Sequence, residues 1–274
     1  MNDIATRPAH EKRGWRHASK RRAFLTHLAI SAMVVGTVCA LIFLVWYPAP
    51  YFAAKGAWNV LRVLVSVDLI LGPLLTLILF RPGKPGLGLD MAMIAMIQLT
   101  ALLYGTSVIY QERPYYAVFA VDRFEILARK DVDPNAVAGT EFAAKPSIGP
   151  VLAVASLPSD PVEFQRLIEE TIFEGKPDIE RRPERWSNYA QAKATVFARA
   201  ESLSALAAKR PSQAPQIERR SRALGRPLDE LLYVPLIGTD RALTLIIDPD
   251  SALPLDVLDI DPWMEEVADS APAN

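Results

Sequence analysis

Residues 58–80, WNVLRVLVSVDLILGPLLTLILF, form an apolar run of membrane-spanning length that nonetheless carries Arg62, Asp68, Gly72 and Pro73. At about 1.5 Å per residue a helix over this run reaches roughly 34 Å, enough for a hydrocarbon core of about 30 Å. Asp68 falls near its middle. An isolated carboxylate at that depth costs at least about 2.5 kcal/mol, so a neighbouring donor, a proton or water has to compensate it.

Two further apolar runs flank it, FLTHLAISAMVVGTVCALIFLVW at 24–46 and LDMAMIAMIQLTALLYGTSVIY at 89–110. The first ends in bulky Val45, Trp46 and Tyr47 instead of a small-residue cleavage site, so it reads as a retained anchor. Seven Lys and Arg precede the first run, Lys55 alone separates the first from the second, and Arg81 and Lys84 lie in the breaker-rich loop RPGKPGLG before the third. Cationic flanks stay inside, which predicts a cytoplasmic N-terminus and, after three crossings, a periplasmic C-terminal half in a bacterial inner membrane. The expected organisation is a basic cytoplasmic tail (1–23), a three-helix transmembrane bundle (24–46, 58–80 and 89–110), a small α+β extracytoplasmic domain (111–264) and a loose acidic tail (265–274).

Charge divides at the same point. The stretch 1–110 holds 11 Lys and Arg against four acids, whereas 111–274 holds 19 against 27. An acidic outer half disfavours nucleic acid as a partner, because phosphate recognition needs clustered cations. Cys39 is the sole cysteine, which rules out an intrachain disulfide and a thiolate metal cluster.

Counted from the cytoplasmic ends of their runs, Asp68, Gln98 and Thr37 fall within a few ångströms of one level. Ala95, Gln98, Ala101 and Gly105 recur at helical spacing on the third run, and Gly72 follows Asp68 by one turn. This pattern predicts Asp68 facing the bundle with Gln98 and Thr37 as hydrogen-bond partners. Three uses fit it: a polar clamp within the bundle, recognition of another transmembrane helix, or proton or ion coupling, for which three spans leave little room. Pro73 removes the helical donor to Leu69 and predicts a kink close to Asp68.

Trp46, Tyr47, Tyr51, Phe52 and Trp58 cluster around Pro48 and Pro50, which predicts an interfacial aromatic belt that anchors in lipid or recognises a partner. Beyond residue 110, YYAVFAV (115–121) and FEIL (124–127) read as strands around a tight turn or bulge at Asp122 and Arg123. VLAVASL (151–157) reads as a strand or strap, and Asp160, Pro161 and Glu163 open a helix to about Phe173. A long helix is predicted over 189–209 from its apolar stripe, and a short one over 214–224 before Gly225 and Pro227. LLYVPLI (231–237) and ALTLIID (242–248) read as a hairpin, with Pro235 pointing to an edge or bulge. VLDI (257–260) adds a strand, and Trp263 reads as a closing anchor.

The three histidines all precede residue 28, so the outer half carries neither imidazole nor thiol. Ser-His, Cys-His and zinc-histidine chemistry is excluded there, no phosphate-cradling glycine loop is present, and no cofactor motif appears. The aspartates from Asp248 to Asp261 lack the glycine and terminal glutamate of an EF-hand loop and read as a solvated acidic face.

WYPAPYF (46–52), DLILGPLLTLILF (68–80), RPYYAVFAVDRFEI (113–126), PLIGTDRALTLIID (235–248) and DPW (261–263) together resemble the TfpX/TfpZ family of type IV pilin accessory proteins, over residues 20 to 263. The resemblance implies a non-enzymatic inner-membrane protein that acts with a particular major pilin in assembly or surface display. It implies no catalytic residue and no cofactor. Two other classes fit the residues: an envelope sensor, which the short cytoplasmic portion disfavours, and a carboxylate-dependent enzyme on pilin, lipid or glycan with Asp122 as its acid.

Overall fold

The computed structural model describes residues 19–264. Of the expected tails at 1–23 and 265–274, residues 1–18 and 265–274 lie outside the described residues, and the helix has already begun at Lys20. The described residues form two compact units, one of 19–39 together with 58–108, the other of 40–57 together with 109–264.

The helical segments begin with α1 (Lys20–Leu41), which runs on through a wide turn at Ile42–Trp46. A short α2 (Tyr51–Lys55) follows. Next come α3 (Trp58–Ser66), a second wide turn at Val67–Leu71, α4 (Gly72–Leu79) and α5 (Leu87–Gln111). Lys20–Trp46, Trp58–Leu79 and Leu87–Gln111 are each long and apolar enough to cross a membrane. In the first unit, Val35, Leu64 and Leu102 are buried together, joined by Val38, Cys39, Val65 and Leu69.

The second unit is a mixed sheet clothed by helices on both faces. Its strands are β1 (Tyr116–Ala120), β2 (Arg123–Leu127), β3 (Val151–Ala155), β4 (Trp186–Asn188), β5 (Glu201–Ser202), β6 (Leu232–Ile237), β7 (Ala242–Ile247) and β8 (Pro254–Leu258), in the order β4-β3-β1-β2-β6-β7-β8 with β5 beside β6. Its helices are α6 (Pro134–Val137), α7 (Pro161–Phe173), α8 (Tyr189–Phe197), α9 (Leu203–Lys209) and α10 (Ala214–Leu224). Strand β1 pairs antiparallel with β2 and parallel with β3, and β2 pairs parallel with β6. Every residue of β1 is buried, as expected of a strand covered on both sides. Ala117 and Phe119 enter one core with Phe124, Tyr189 and Val196, while Tyr116, Val118 and Ala120 enter another with Leu167 and Trp186.

Four expectations are corrected here. The segment 189–209 is two helices, because Glu201 and Ser202 pair with Tyr233 and Leu232 and the Ser202 hydroxyl caps α9 at the Ala205 amide. Its apolar stripe serves two cores, with Val196 in the first and Leu203 and Leu206 in a third. Pro235 is not on an edge: β6 is central, and Pro235 falls where its neighbour on one side changes from β5 at Tyr233 to β2 at Leu236, so no donor is required of it. The closing anchor is Ile260, buried beside Leu258, whereas Trp263 is 46% exposed.

The fourth concerns the loop between the first two long helices, which forms a strap in the second unit's core. Tyr51 and Ala54 are buried among Phe119, Phe124 and Leu243. Thr239 donates through its backbone N–H to the Ala54 carbonyl and through Oγ1 to the Lys55 carbonyl.

Candidate functional site

Asp68 lies in the wide turn, where the Gly72 amide reaches back five residues to the Val67 carbonyl. In that register the next amide, which would serve the Asp68 carbonyl, belongs to Pro73 and does not exist. The orphaned carbonyl is therefore Asp68's and not that of Leu69, the partner expected in a regular helix. Gln98 on α5 supplies the missing donor: its Nε2 stands 3.3 Å from the Asp68 carbonyl and 3.3 Å from Asp68 Oδ1. Gly72 makes room for it, since a Cβ there would sit 2.0 Å from Gln98 Nε2. Asp68, Gln98, Gly72 and Pro73 thus form one interlocked clamp, all four buried.

Thr37 is not part of it. Its side chain is exposed and its hydroxyl donates to the Met33 carbonyl at 2.9 Å. Depth matched, but azimuth did not: the residues of α1 turned inward are Ser31 and Val35, and two positions past Val35 is about 200° around the helix. Sequence reading missed His27, Ser31 and Thr76. His27 Nδ1 and Thr76 Oγ1 are hydrogen-bonded at 2.5 Å, and Ser31 is buried. The spacing of His27, Ser31, Val35 and Cys39, four residues apart, is the signal that could have found them. On α5 the inward stripe runs Ile94, Gln98, Leu102 and Gly105, with Ala95 exposed. At Gly105 a Cβ would stand 3.2 Å from Leu64 Cδ1, so the close helix approach expected there is present.

His27, Ser31, Val35, Asp68, Gln98 and Leu102 line a cavity of about 160 Å³. Asp68 Oδ2 is buried without a hydrogen-bond partner among the described residues.

The aromatic group expected at an interface is largely interior to the second unit. Tyr47 is buried and donates to the Ile109 carbonyl at 2.7 Å, while Phe52 is buried between the rings of Tyr47 and Phe43. Burial pushes the phenols of Tyr47 and Tyr51 up. Trp46, half-buried, meets Tyr110 edge-on at 4.9 Å, and Trp58 is exposed. Tyr47, Tyr51 and Phe52 are therefore packing residues of this unit.

Val121 and Asp122 close the β1–β2 hairpin. Val121 has φ +62°, and the Asp122 amide bonds the Ala120 carbonyl at 2.7 Å, which is a γ-turn centred on a β-branched residue. Asp122 is half-buried beside Arg123, whose guanidinium donates to it at 3.1 Å. The acid that stands out in this unit is Glu125, which faces Glu180 and Arg181. Burial first, then the Glu180 carboxylate, push Glu125 up to about 7, with Arg181 and Arg123 opposing. Glu180 belongs to a single helical turn far downstream, past β3 and α7, so no spacing rule pairs the two. Among the described residues no group of three or more His, Cys, Asp or Glu could hold a metal ion.

A family model described as "Fimbrial assembly protein FimB" matches residues 15–56. A fimbrial assembly protein of serogroup E1 from Dichelobacter nodosus is 31% identical over 229 residues, 81% of this chain and 87% of that one. The serogroup I protein of the same organism is 30% identical over 226 residues, with the same coverage. A third, of serogroups C1 and C2, is 38% identical over 108 residues, 39% of this chain and 82% of its own. No solved structure matches. With similarity of that level extending through both units, the chain belongs to the family of fimbrial assembly proteins.

Proposed function

We propose that this chain is a non-enzymatic inner-membrane accessory protein for type IV pilus assembly, of the TfpX/TfpZ kind, that assists a cognate major pilin. The three long helices engage the apolar helix of a membrane-resident pilin while the second unit, in the periplasm, meets its globular part. The observation that carries this reading is the Asp68–Gln98 clamp, a built polar site on helices whose outer faces, including Ile30, Val34, Leu99 and Leu103, are exposed and apolar. Topology agrees with it. The strap 40–57 and the sheet share one unit, and two candidate spans separate them in sequence, so both segments occupy the same side of a bilayer if both helices cross. The cationic residues Lys20, Arg21 and Arg22 at the start of α1 favour the cytoplasm for that end.

Co-purification from detergent with pilin tests the proposal, comparing the unmutated chain with Asp68→Leu. Pilin retained by the unmutated chain supports it, and no association when both are expressed overturns it. The Glu125–Glu180 pair favours one second reading, a carboxylate-dependent enzyme on pilin, lipid or glycan, with Glu125 in place of Asp122 as its acid. Intact-mass measurement of pilin from a deletion strain separates the two: a lost covalent modification supports the enzyme, an unchanged mass with pili absent supports the accessory role.

A further inference from the structure

We propose that the cavity at Asp68 is a binding site for a protonated amine carried on an apolar helix of a partner, with Asp68 Oδ2 as its acceptor. This rests on the reading of the three helices as a helix-docking device, and adds what the docked helix must present.

Asp68 is the eleventh residue of the 22-residue helix Trp58–Leu79, which puts it about 15 Å from either end. Its carbonyl and its Oδ1 both receive Gln98 Nε2, so the clamp satisfies one side of the carboxylate only. Oδ2 is buried without a hydrogen bond among the described residues, on a side chain that lines the cavity and belongs to a residue only 5% exposed. A carboxylate oxygen left in that state is unfavourable, and a cationic N–H donor is the group that relieves it most. Ser31 also lines the cavity, and its hydroxyl oxygen accepts hydrogen bonds. With Asp68 Oδ2 it offers acceptors to an ammonium, which presents three donors. These oxygens are too few for the cage of a bare metal cation.

The route to the cavity fixes what carries the amine. Ile30 and Val34 of α1 and Leu99 of α5, all exposed and apolar, form its rim. A ligand reaching it from that flank needs an apolar body. A lipid amine has one, but its headgroup sits at the interface, about 15 Å from Asp68. A transmembrane helix bearing an amine places both parts at once, and a volume of about 160 Å³ accepts the end of a side chain, being roughly that of five waters.

The test uses the full chain in lipid nanodiscs and synthetic Leu/Ala transmembrane peptides of about 22 residues with a single central Lys, or norleucine in its place. Binding is read by energy transfer between labelled peptide and protein. The Lys peptide is expected to bind at least about tenfold more tightly than the norleucine peptide, and Asp68→Asn is expected to remove most of that difference. Ala95→Trp, at an exposed lining position that makes no bond in the clamp, is expected to remove it as well by filling the cavity, which covers the case in which Asp68→Asn perturbs the helices. Equal binding of the two peptides to the unmutated chain overturns the proposal and leaves a water-filled cavity. A Lys preference that survives both substitutions overturns it too. Pilin co-purification equal for the unmutated chain and Asp68→Asn would sink the amine site while leaving pilin docking intact. A Lys preference without pilin association would do the reverse.

Discussion

Gln98 lies where a side chain on residue 72 would have to be: the Cβ of an alanine there would stand 2.0 Å from its Nε2 and 2.4 Å from its Cδ. Gly72→Ala must therefore push Gln98 away and break its bonds to Asp68. The expected loss is about 1–3 kcal/mol, the scale of leaving buried polar groups unsatisfied. Gln98→Ala is expected to lose a similar amount, and the two together less than their sum, because they remove the same contacts. Unfolding of the full chain in mixed micelles measures all three.

Pro73 creates the need that Gln98 meets. Pro73→Ala returns an amide at the position facing the Asp68 carbonyl. Gln98→Ala should then be milder in the Pro73→Ala background by about 1 kcal/mol, one net hydrogen bond. An unchanged penalty in the same micelle assay would show that the orphaned carbonyl is not what Gln98 serves.

Tyr51→Ala is expected to destabilise the second unit by about 3 kcal/mol or more, as for other large-to-small changes in a core. Tyr47→Phe removes only the bond to the Ile109 carbonyl and should lose about 1 kcal/mol. Limited proteolysis within 111–264 reads both. An interfacial belt would instead leave the sheet's protection unaffected.

Glu125 holds its proton in the folded chain to about 7, whereas a free glutamate releases it near 4.5. Its contribution is complete below that window and is lost as pH rises through it, the reverse of a carboxylate held low by an ion pair, because burial and Glu180 outweigh Arg181 here. Thermal unfolding should therefore show Glu125→Gln gaining on the unmutated chain between pH 5 and pH 7.5, by a few degrees at about 2–4 °C per kcal/mol. A constant difference across that range would refute the assignment.

Val121 is held at φ +62° on a 40% exposed side chain, a conformation that costs a β-branched residue about 1–2 kcal/mol. Val121→Gly should recover about 1 kcal/mol in the same thermal assay. If pilus assembly falls while stability rises, the strained tip is part of the working surface.

Features set by local chemistry were legible in the sequence. The Asp160 cap and Pro161 define α7 as expected, α10 spans the predicted 214–224, and the β6–β7 hairpin forms where the apolar runs bracket Gly238–Arg241. Gln98 was found because depth and face agreed. Thr37 matches Asp68 in depth alone, whereas Ser31 and His27 are marked by the inward face of their helix. The break at Glu201 depends on pairing with Tyr233, beyond two further helices, and the burial of Tyr51 depends on a sheet that begins only after the third long helix. Neither leaves a local mark.

The strap also has a consequence for biogenesis. Residues 40–57 leave the ribosome well before β1, yet Tyr51 finds its neighbours only in strands made after α5. Closure of this core must therefore wait until the third long helix has been made. A chain that left only one of its second and third helices in the bilayer would strand the strap and the sheet in different compartments, and no sealed core could form. Folding of the second unit would thus report whether the second and third long helices cross together, since a chain in which only one of them crosses leaves Tyr51 and its sheet unjoined.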